Sequence, residues 1–226
     1  MCIGVPREIK NREYRVAVTP DCVRRYVANG HELLIDLAAT HSSGIKVVAL
    51  TSNPLEQPNL KPARVAESIL EARQAVDAVV IDLHPSYSEV NLAVFAIADR
   101  IIVPVTPDLP AMRAAIQLKD VATEIGVRDR LSMVINRANS GVTVADMEET
   151  VGLPAIAHIR SAGLHFVWSA NAGKTLIDKF PRHQATQDFE HLANRLVASY
   201  SGAPAPQRST GSLLRNLFGR KAIVEA

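Results

Sequence analysis

Three places in this sequence have residue types and spacing that could carry chemistry. The first is Asp82, which ends the apolar run Ala78-Val79-Val80-Ile81 and is followed by Leu83-His84-Pro85. A carboxylate at the end of a buried strand suits a divalent cation, or a water attacking beside a phosphate. An ordinary solvated aspartate fits that spacing equally well. The second is Asn136-Arg137, directly after the apolar run Leu131 to Ile135. Asparagine at a strand end is most often a turn former, yet its amide also offers a ligand one donor side and one acceptor. The third is Gly173-Lys174-Thr175, which imitates the end of a phosphate loop. The pattern G-x-x-x-x-G-K-[ST] requires an earlier glycine where this chain has Trp168. An indole there prevents the tight wrap that turns backbone N–H groups toward phosphate. His84, His158 and His165 have no ligand spacing and read as strand-end or surface residues.

Composition bounds what these residues can belong to. The 226 residues suffice for one domain, or for one domain and a fragment. Apolar residues make up 47%, charged residues 21%, and the net charge is +2, which excludes a disordered or collagen-like chain. Near-neutral charge without a basic stripe gives nucleic acid little to hold. Five Phe, four Tyr and one Trp imply an aliphatic core. Cys2 and Cys22 cannot form a disulfide framework, which favours a reducing, cytoplasmic setting. No apolar run reaches the ~18–20 residues of a membrane span. Early charges such as Arg7, Glu8 and Lys10 do not suit a signal peptide.

The elements needed to position the candidates alternate along the chain. Residues 1–38 read as strand, charged loop, helix and strand, with Thr19-Pro20 as the helix start. Residues 38–44 read as a small-polar joint, and Lys46 to Leu50 as a strand. A helix opens at Pro62 with the stripe Val65, Ile69, Ala72 and Val76. Ala78 to Asp82, apolar throughout until its last residue, is expected as a central parallel strand. Helix Ser88–Ala98, strand Ile101–Val105, a helix capped by Asp108 and strand Leu131–Ile135 follow. Helix Thr143–Val151, strand Pro154–Ile159 and a short extended piece Leu164–Trp168 come next. The last domain helix, Gln184–Tyr200, has an apolar stripe of Phe189, Leu192, Ala193, Leu196, Val197 and Tyr200. Such alternation predicts an α/β fold with a doubly wound, mostly parallel sheet, whose ligands lie at the carboxyl ends of the strands. Residues 201–211 read as a flexible linker and 212–226 as a separate basic, amphipathic tail.

Several segments carry a resemblance. Val79 to Pro85 resembles the Walker B stretch of the ParA/MinD family of P-loop ATPases. Ser86 to Asn91, Ala98 to Pro104 and Thr106 to Pro110 are similar to its TadZ/CpaE pilus-assembly branch. The likeness covers about residues 44–197. It implies a three-layer P-loop NTPase-like architecture, ATP or ADP with magnesium as cofactors, and a homodimer. Asp82 would then face metal or water at the phosphates, and Asn136 with Arg137 would face the adenine. Asn171 and Gly173 match a late family segment on the base side. The family's glycine-rich Walker A loop has no counterpart here, so nucleotide binding is the expectation and hydrolysis stays open.

Residues 1–38 resemble the start of alanine dehydrogenase and the related transhydrogenase subunit, through Ile3 to Asn11, Tyr14 to Pro20 and Gly30 to Glu32. The family's matching arginine binds a substrate carboxylate, a role the resemblance implies for Arg15. Without G-x-G-x-x-G, NAD is not expected. In the tail, Leu213, Leu214, Leu217 and Phe218 share one helical arc beside Arg215, Arg220 and Lys221. That pattern is similar to the membrane-targeting helix of MinD-type proteins and suits an anionic lipid surface. The combined expectation is a chimera: residues 1–38, then a ParA/MinD-like domain at 39–200, then linker and tail. It would act in positioning or assembly, with pilus or secretion proteins, at the inner face of the plasma membrane. The alternatives are an alanine-dehydrogenase-related oxidoreductase fragment and a non-enzymatic interaction module.

Overall fold

The computed structural model describes residues 38–41, 44–48, 60–138 and 141–200. The strand–helix–strand expected within residues 1–37, the linker and the tail lie outside the described residues. The chain divides into two compact units, whose described parts are residues 38–98 and 99–200.

The first unit opens with an antiparallel pair, β1 (Ala39–Thr40) and β2 (Lys46–Val47), in which Ala39 faces Val47 and Thr40 faces Lys46. The Gly44 N–H donates to the His41 carbonyl at 2.9 Å, and Gly44 has φ 86°, a left-handed conformation that favours glycine. Part of the expected joint is therefore a hairpin. Helix α1 (Pro62–Ala75) starts on its proline and buries Val65, Ala66, Ser68 and Ile69. Helix α2 (Glu89–Ile97) follows Ser88, whose hydroxyl accepts the Asn91 N–H at 3.3 Å. It is apolar on nearly every side and packs against α1. Arg73 of α1 donates to the Ile97 carbonyl, a cation placed at a helix carboxyl end.

Ala78 to Asp82 departs from expectation. The segment pairs with no strand among the described residues, Val80 is 45% exposed and Asp82 is exposed. An apolar run becomes a strand only where a neighbour takes up its row of amides; hydrophobicity alone does not supply one.

The second unit is built on a parallel sheet with strand order β3 (Ile101–Val105), β4 (Leu131–Asn136) and β5 (Ala155–Ile159). Ile101 pairs with Leu131 and Val105 with Ile135, while a bulge between Met133 and Val134 adjusts the β4–β5 register. Val105, Met133, Ile135 and Ile159 are almost wholly buried, as a sheet covered on both faces requires. Pro104, which lacks a ladder donor, lies on β3, an edge of the described sheet.

Helix α3 (Leu109–Glu124) joins β3 to β4, and α4 (Val144–Val151) joins β4 to β5. Crossovers between parallel strands are right-handed as a rule, so two in one direction put both helices on one face, and these two helices touch each other. The Thr143 hydroxyl caps α4 by accepting the Asp146 N–H at 3.1 Å. At its other end Lys119 donates to the Val151 carbonyl at 2.7 Å and Arg128 to that of Gly152 at 3.2 Å. Glu148 accepts the Ala155 N–H at 2.7 Å and so fixes where β5 begins.

Leu164 to Trp168 is not extended: it belongs to helix α5 (Leu164–Asn171). Its aromatic and β-branched residues favour strand in isolation, but ring contacts decide otherwise. His165 meets Trp168 edge-on at 5.2 Å between centroids, an i, i+3 contact that a helix provides and an extended strand does not. Phe180 stands 4.7 Å from the same imidazole. Short helix α6 (Leu176–Lys179) leads to α7 (Gln184–Tyr200), which packs on β5. The buried residues of α7 are Ala185, Thr186, Asp188, Leu192 and Leu196; Ala193 and Val197, expected inside, are exposed, Val197 by 61%.

Asp188 explains that rotation. It is 7% exposed and accepts the Arg160 backbone N–H at 3.0 Å, Nε at 2.9 Å and Nη2 at 2.7 Å. A bidentate pair of this kind holds α7 against the residue that leaves β5. Hydrogen bonding to Arg160 keeps the Asp188 carboxyl below its ordinary 3.8. Unfolding restores the ordinary value, so the pair's contribution is complete above about pH 4 and is lost as pH falls further. Asp188→Ala is expected to lower the melting temperature by roughly 3–10 °C at neutral pH. Thermal melts from pH 7 downward should show the gap between variant and parent closing below about pH 4. A gap that stays constant to lower pH would show that the stabilisation is not ionic.

Candidate functional site

In an open parallel sheet the groups able to meet a ligand collect where the strands end. The carboxyl edge of β3, β4 and β5 carries Thr106 to Asp108, Asn136 with Arg137, and Arg160. Asn136 is the last residue of β4, half-buried and in register with Ile159. Arg137 follows, exposed, with φ 59°. A left-handed backbone at a residue with a long side chain costs of order 1–3 kcal/mol and persists only where surrounding contacts enforce it. Here the Ala138 N–H, one residue on, is tied to the Ile159 carbonyl at 3.1 Å.

Across from this turn, Asp108 caps α3 by accepting the Ala111 N–H at 2.9 Å, and the Thr106 hydroxyl donates to its other oxygen. The Thr106 hydroxyl and then the Ala111 amide hold the Asp108 carboxyl below its ordinary value, with a further push from the charge of Arg137. Asp108 is thus an anchored anion within the electrostatic reach of Arg137. Its capping role was legible from Asp108-Leu109-Pro110; the hold of Thr106 was not, because only the loop's fold brings the hydroxyl round. Arg160 is engaged by Asp188 and Gln184, which makes the β5 end a structural joint.

Asp82 lies in the other unit, exposed at the end of the extended segment. Asn171 is the last residue of α5, and Gly173 follows at φ 62°. The Gly173 N–H donates to Ala170 and the Lys174 N–H to Ser169, both at 3.0 Å, so Gly173-Lys174 closes α5, and Thr175 then caps α6 by accepting the Asp178 N–H at 3.1 Å. Asn136 and Arg137 adjoin in one turn at the end of β4. Arg15, Leu213, Leu214, Leu217 and Phe218 lie outside the described residues.

His165 is not simply a surface residue. It is half-buried among Trp168, Phe180 and His183, with Nδ1 on the Ala162 carbonyl at 3.0 Å. Among the described residues no three His, Cys, Asp or Glu side chains are grouped to hold a metal. Magnesium, however, commonly takes one or two carboxylates and completes its shell with phosphate oxygens and water. An exposed Asp82 fits that mode.

Comparison with known proteins gives two separate results. Residues 4–51 match the family model for the alanine dehydrogenase/PNT N-terminal domain. Alanine dehydrogenase of Bacillus subtilis is 48% identical over 52 residues, which is 23% of this chain and 14% of that enzyme. Only a small part of the enzyme's length is therefore represented. Among solved structures, a ParA family ATPase from Chlorobium tepidum has a TM-score of 0.66 at 21% identity, covering 78% of this chain and 72% of its own. The septum site-determining protein MinD complexed with Mg-ADP, from Pyrococcus horikoshii, has a TM-score of 0.65 at 15% identity, with 79% and 74% covered. The chain accordingly has the α/β fold of the ParA and MinD ATPases, and it also carries an alanine dehydrogenase-like segment at residues 4–51.

Proposed function

We propose that this chain is a ParA/MinD-like nucleotide-binding protein that acts in positioning or assembly. The supporting observation is the fold shared with a MinD protein complexed with Mg-ADP, joined to the polar turn Asn136-Arg137 at the carboxyl edge of a parallel sheet. Asn136 meets the adenine edge through its amide, and Asn171 with Gly173 borders the base side. Asp82 faces magnesium or water at the phosphates. Magnesium, when bound, neutralises phosphate charge and orders water. Hydrolysis is not part of this reading, because the chain has no Walker A glycine loop to cradle a triphosphate. Isothermal calorimetry with Mg-ADP and Mg-ATP should give saturable heat, weakened about tenfold or more by Asn136→Ala, since an unmet amide contact is worth about 1–3 kcal/mol. Absence of heat at millimolar nucleotide would remove the nucleotide reading.

The same reading includes a homodimer, partners from a pilus or secretion apparatus, and peripheral contact with the inner face of the plasma membrane. Among the described residues no helix is long and apolar enough to cross a membrane. Contact instead falls to Leu213, Leu214, Leu217 and Phe218 with their basic neighbours. Liposomes containing anionic lipid should float the whole chain and leave behind a form truncated after residue 211. Equal flotation of the two forms rejects the tail as anchor.

A second reading is favoured by the family match at residues 4–51. Arg15 offers a bidentate guanidinium to a small carboxylate such as pyruvate. Because a carboxylate site needs several convergent groups, we expect pyruvate titration to give no heat that Arg15→Ala abolishes. Heat that does depend on Arg15 would put the dehydrogenase-related reading first.

A further inference from the structure

Asn91 is a polar residue inside an apolar helix, and it is 7% exposed. Its backbone N–H is already used by the Ser88 cap. The side-chain amide therefore has no capping role left to fill, and it reaches back to the loop before the helix. Nδ2 donates to the His84 carbonyl at 2.7 Å and the Ser86 carbonyl at 2.7 Å, and it lies 3.2 Å from the Ser86 hydroxyl. The Ser86 N–H also donates to the His84 carbonyl at 2.7 Å, which closes a tight turn about Pro85. The fixed φ of proline suits an inverse γ-turn. A buried amide with its hydrogens on loop carbonyls is costly to disturb, because the amide is the buried partner and would lose its compensation for burial.

Only Leu83 separates this clamped turn from Asp82. The carboxylate itself is exposed, and its backbone runs directly into that turn. On the carboxyl side that backbone is held by Asn91.

We propose that Asn91 is a positioning residue for Asp82: it fixes the turn His84–Ser86, so that the Asp82 carboxylate is presented to magnesium at a bound nucleotide's phosphates. The inference rests on the reading of Asp82 given above. Groups that orient a metal ligand from behind commonly change metal affinity by about 10–100-fold when altered. A residue that only supported the fold would instead weaken binding with and without metal alike.

The test is binding of fluorescent ADP to the full chain, with excess magnesium and with EDTA. Asn91→Asp keeps the shape, removes the amide donors and sets a negative charge against two carbonyls. Asn91→Ser keeps one donor. Magnesium should tighten binding to the parent chain, and Asp82→Asn should abolish that tightening. Asn91→Asp should reduce it by about tenfold or more and Asn91→Ser by less, with affinity in EDTA unchanged in both. If Asn91→Asp responds to magnesium like the parent while Asp82→Asn does not, the positioning role is overturned and the reading of Asp82 stands. If the parent shows no magnesium response, or Asp82→Asn retains it, the reading of Asp82 fails and the inference falls with it. If both Asn91 variants also lose binding in EDTA, Asn91 supports the domain as a whole, and the positioning role is again overturned.

Discussion

A sheet buried on both faces has almost no room for polar side chains along its strands. Val105, Met133, Ile135 and Ile159 fill that space in the second unit, each worth about 1.5–3 kcal/mol in burial. Groups that could meet a ligand are consequently pushed to the strand ends, where backbone donors and acceptors are also left over. Each end then needs its own local device to stay ordered. At β3 it is the Thr106 and Asp108 cap, at β4 the left-handed turn at Arg137, and at β5 the Arg160–Asp188 pair. The three devices differ in consequence. The last satisfies its own charges and faces α7, whereas the second leaves a half-buried amide and an exposed guanidinium at the edge.

The helices and strands of the second unit were readable because their signals are local. Asp108-Leu109-Pro110 marks a helix start by cap and proline, Gly152 and Gly126 mark ends, and continuous apolar runs mark β3 to β5. What could not be read depends on partners remote in sequence. Ala78 to Ile81 has the composition of a central strand, but pairing is a property of two segments, and one segment's composition does not contain it. Leu164 to Trp168 has strand propensity overruled by rings that meet in a helix and not in an extended strand. The stripe of α7 was read as a purely apolar pattern, and a buried aspartate with a distant arginine turned the helix past it.

Candidate site residues divide the same way. Asn136 and Arg137 stand out because they interrupt an apolar run, and the structure brings them into one turn at the sheet edge. Gly173-Lys174 differs in sequence from a phosphate loop at Trp168, and it lies between the end of one helix and the start of the next. Asn91 carried no such mark. An asparagine in the first turn of a helix looks like a surface residue until the loop carbonyls it serves are folded onto it.

The contacts that shape the Asp82 loop span only seven and five residues along the chain. Closing so short a loop costs little entropy, and its contacts can form as the helix itself forms. The loop's geometry is thus written largely into one short stretch of sequence, from His84 to Asn91. Modular inheritance becomes physically easy under that arrangement. A segment of different ancestry can be attached upstream without rewriting the stretch that holds the carboxylate.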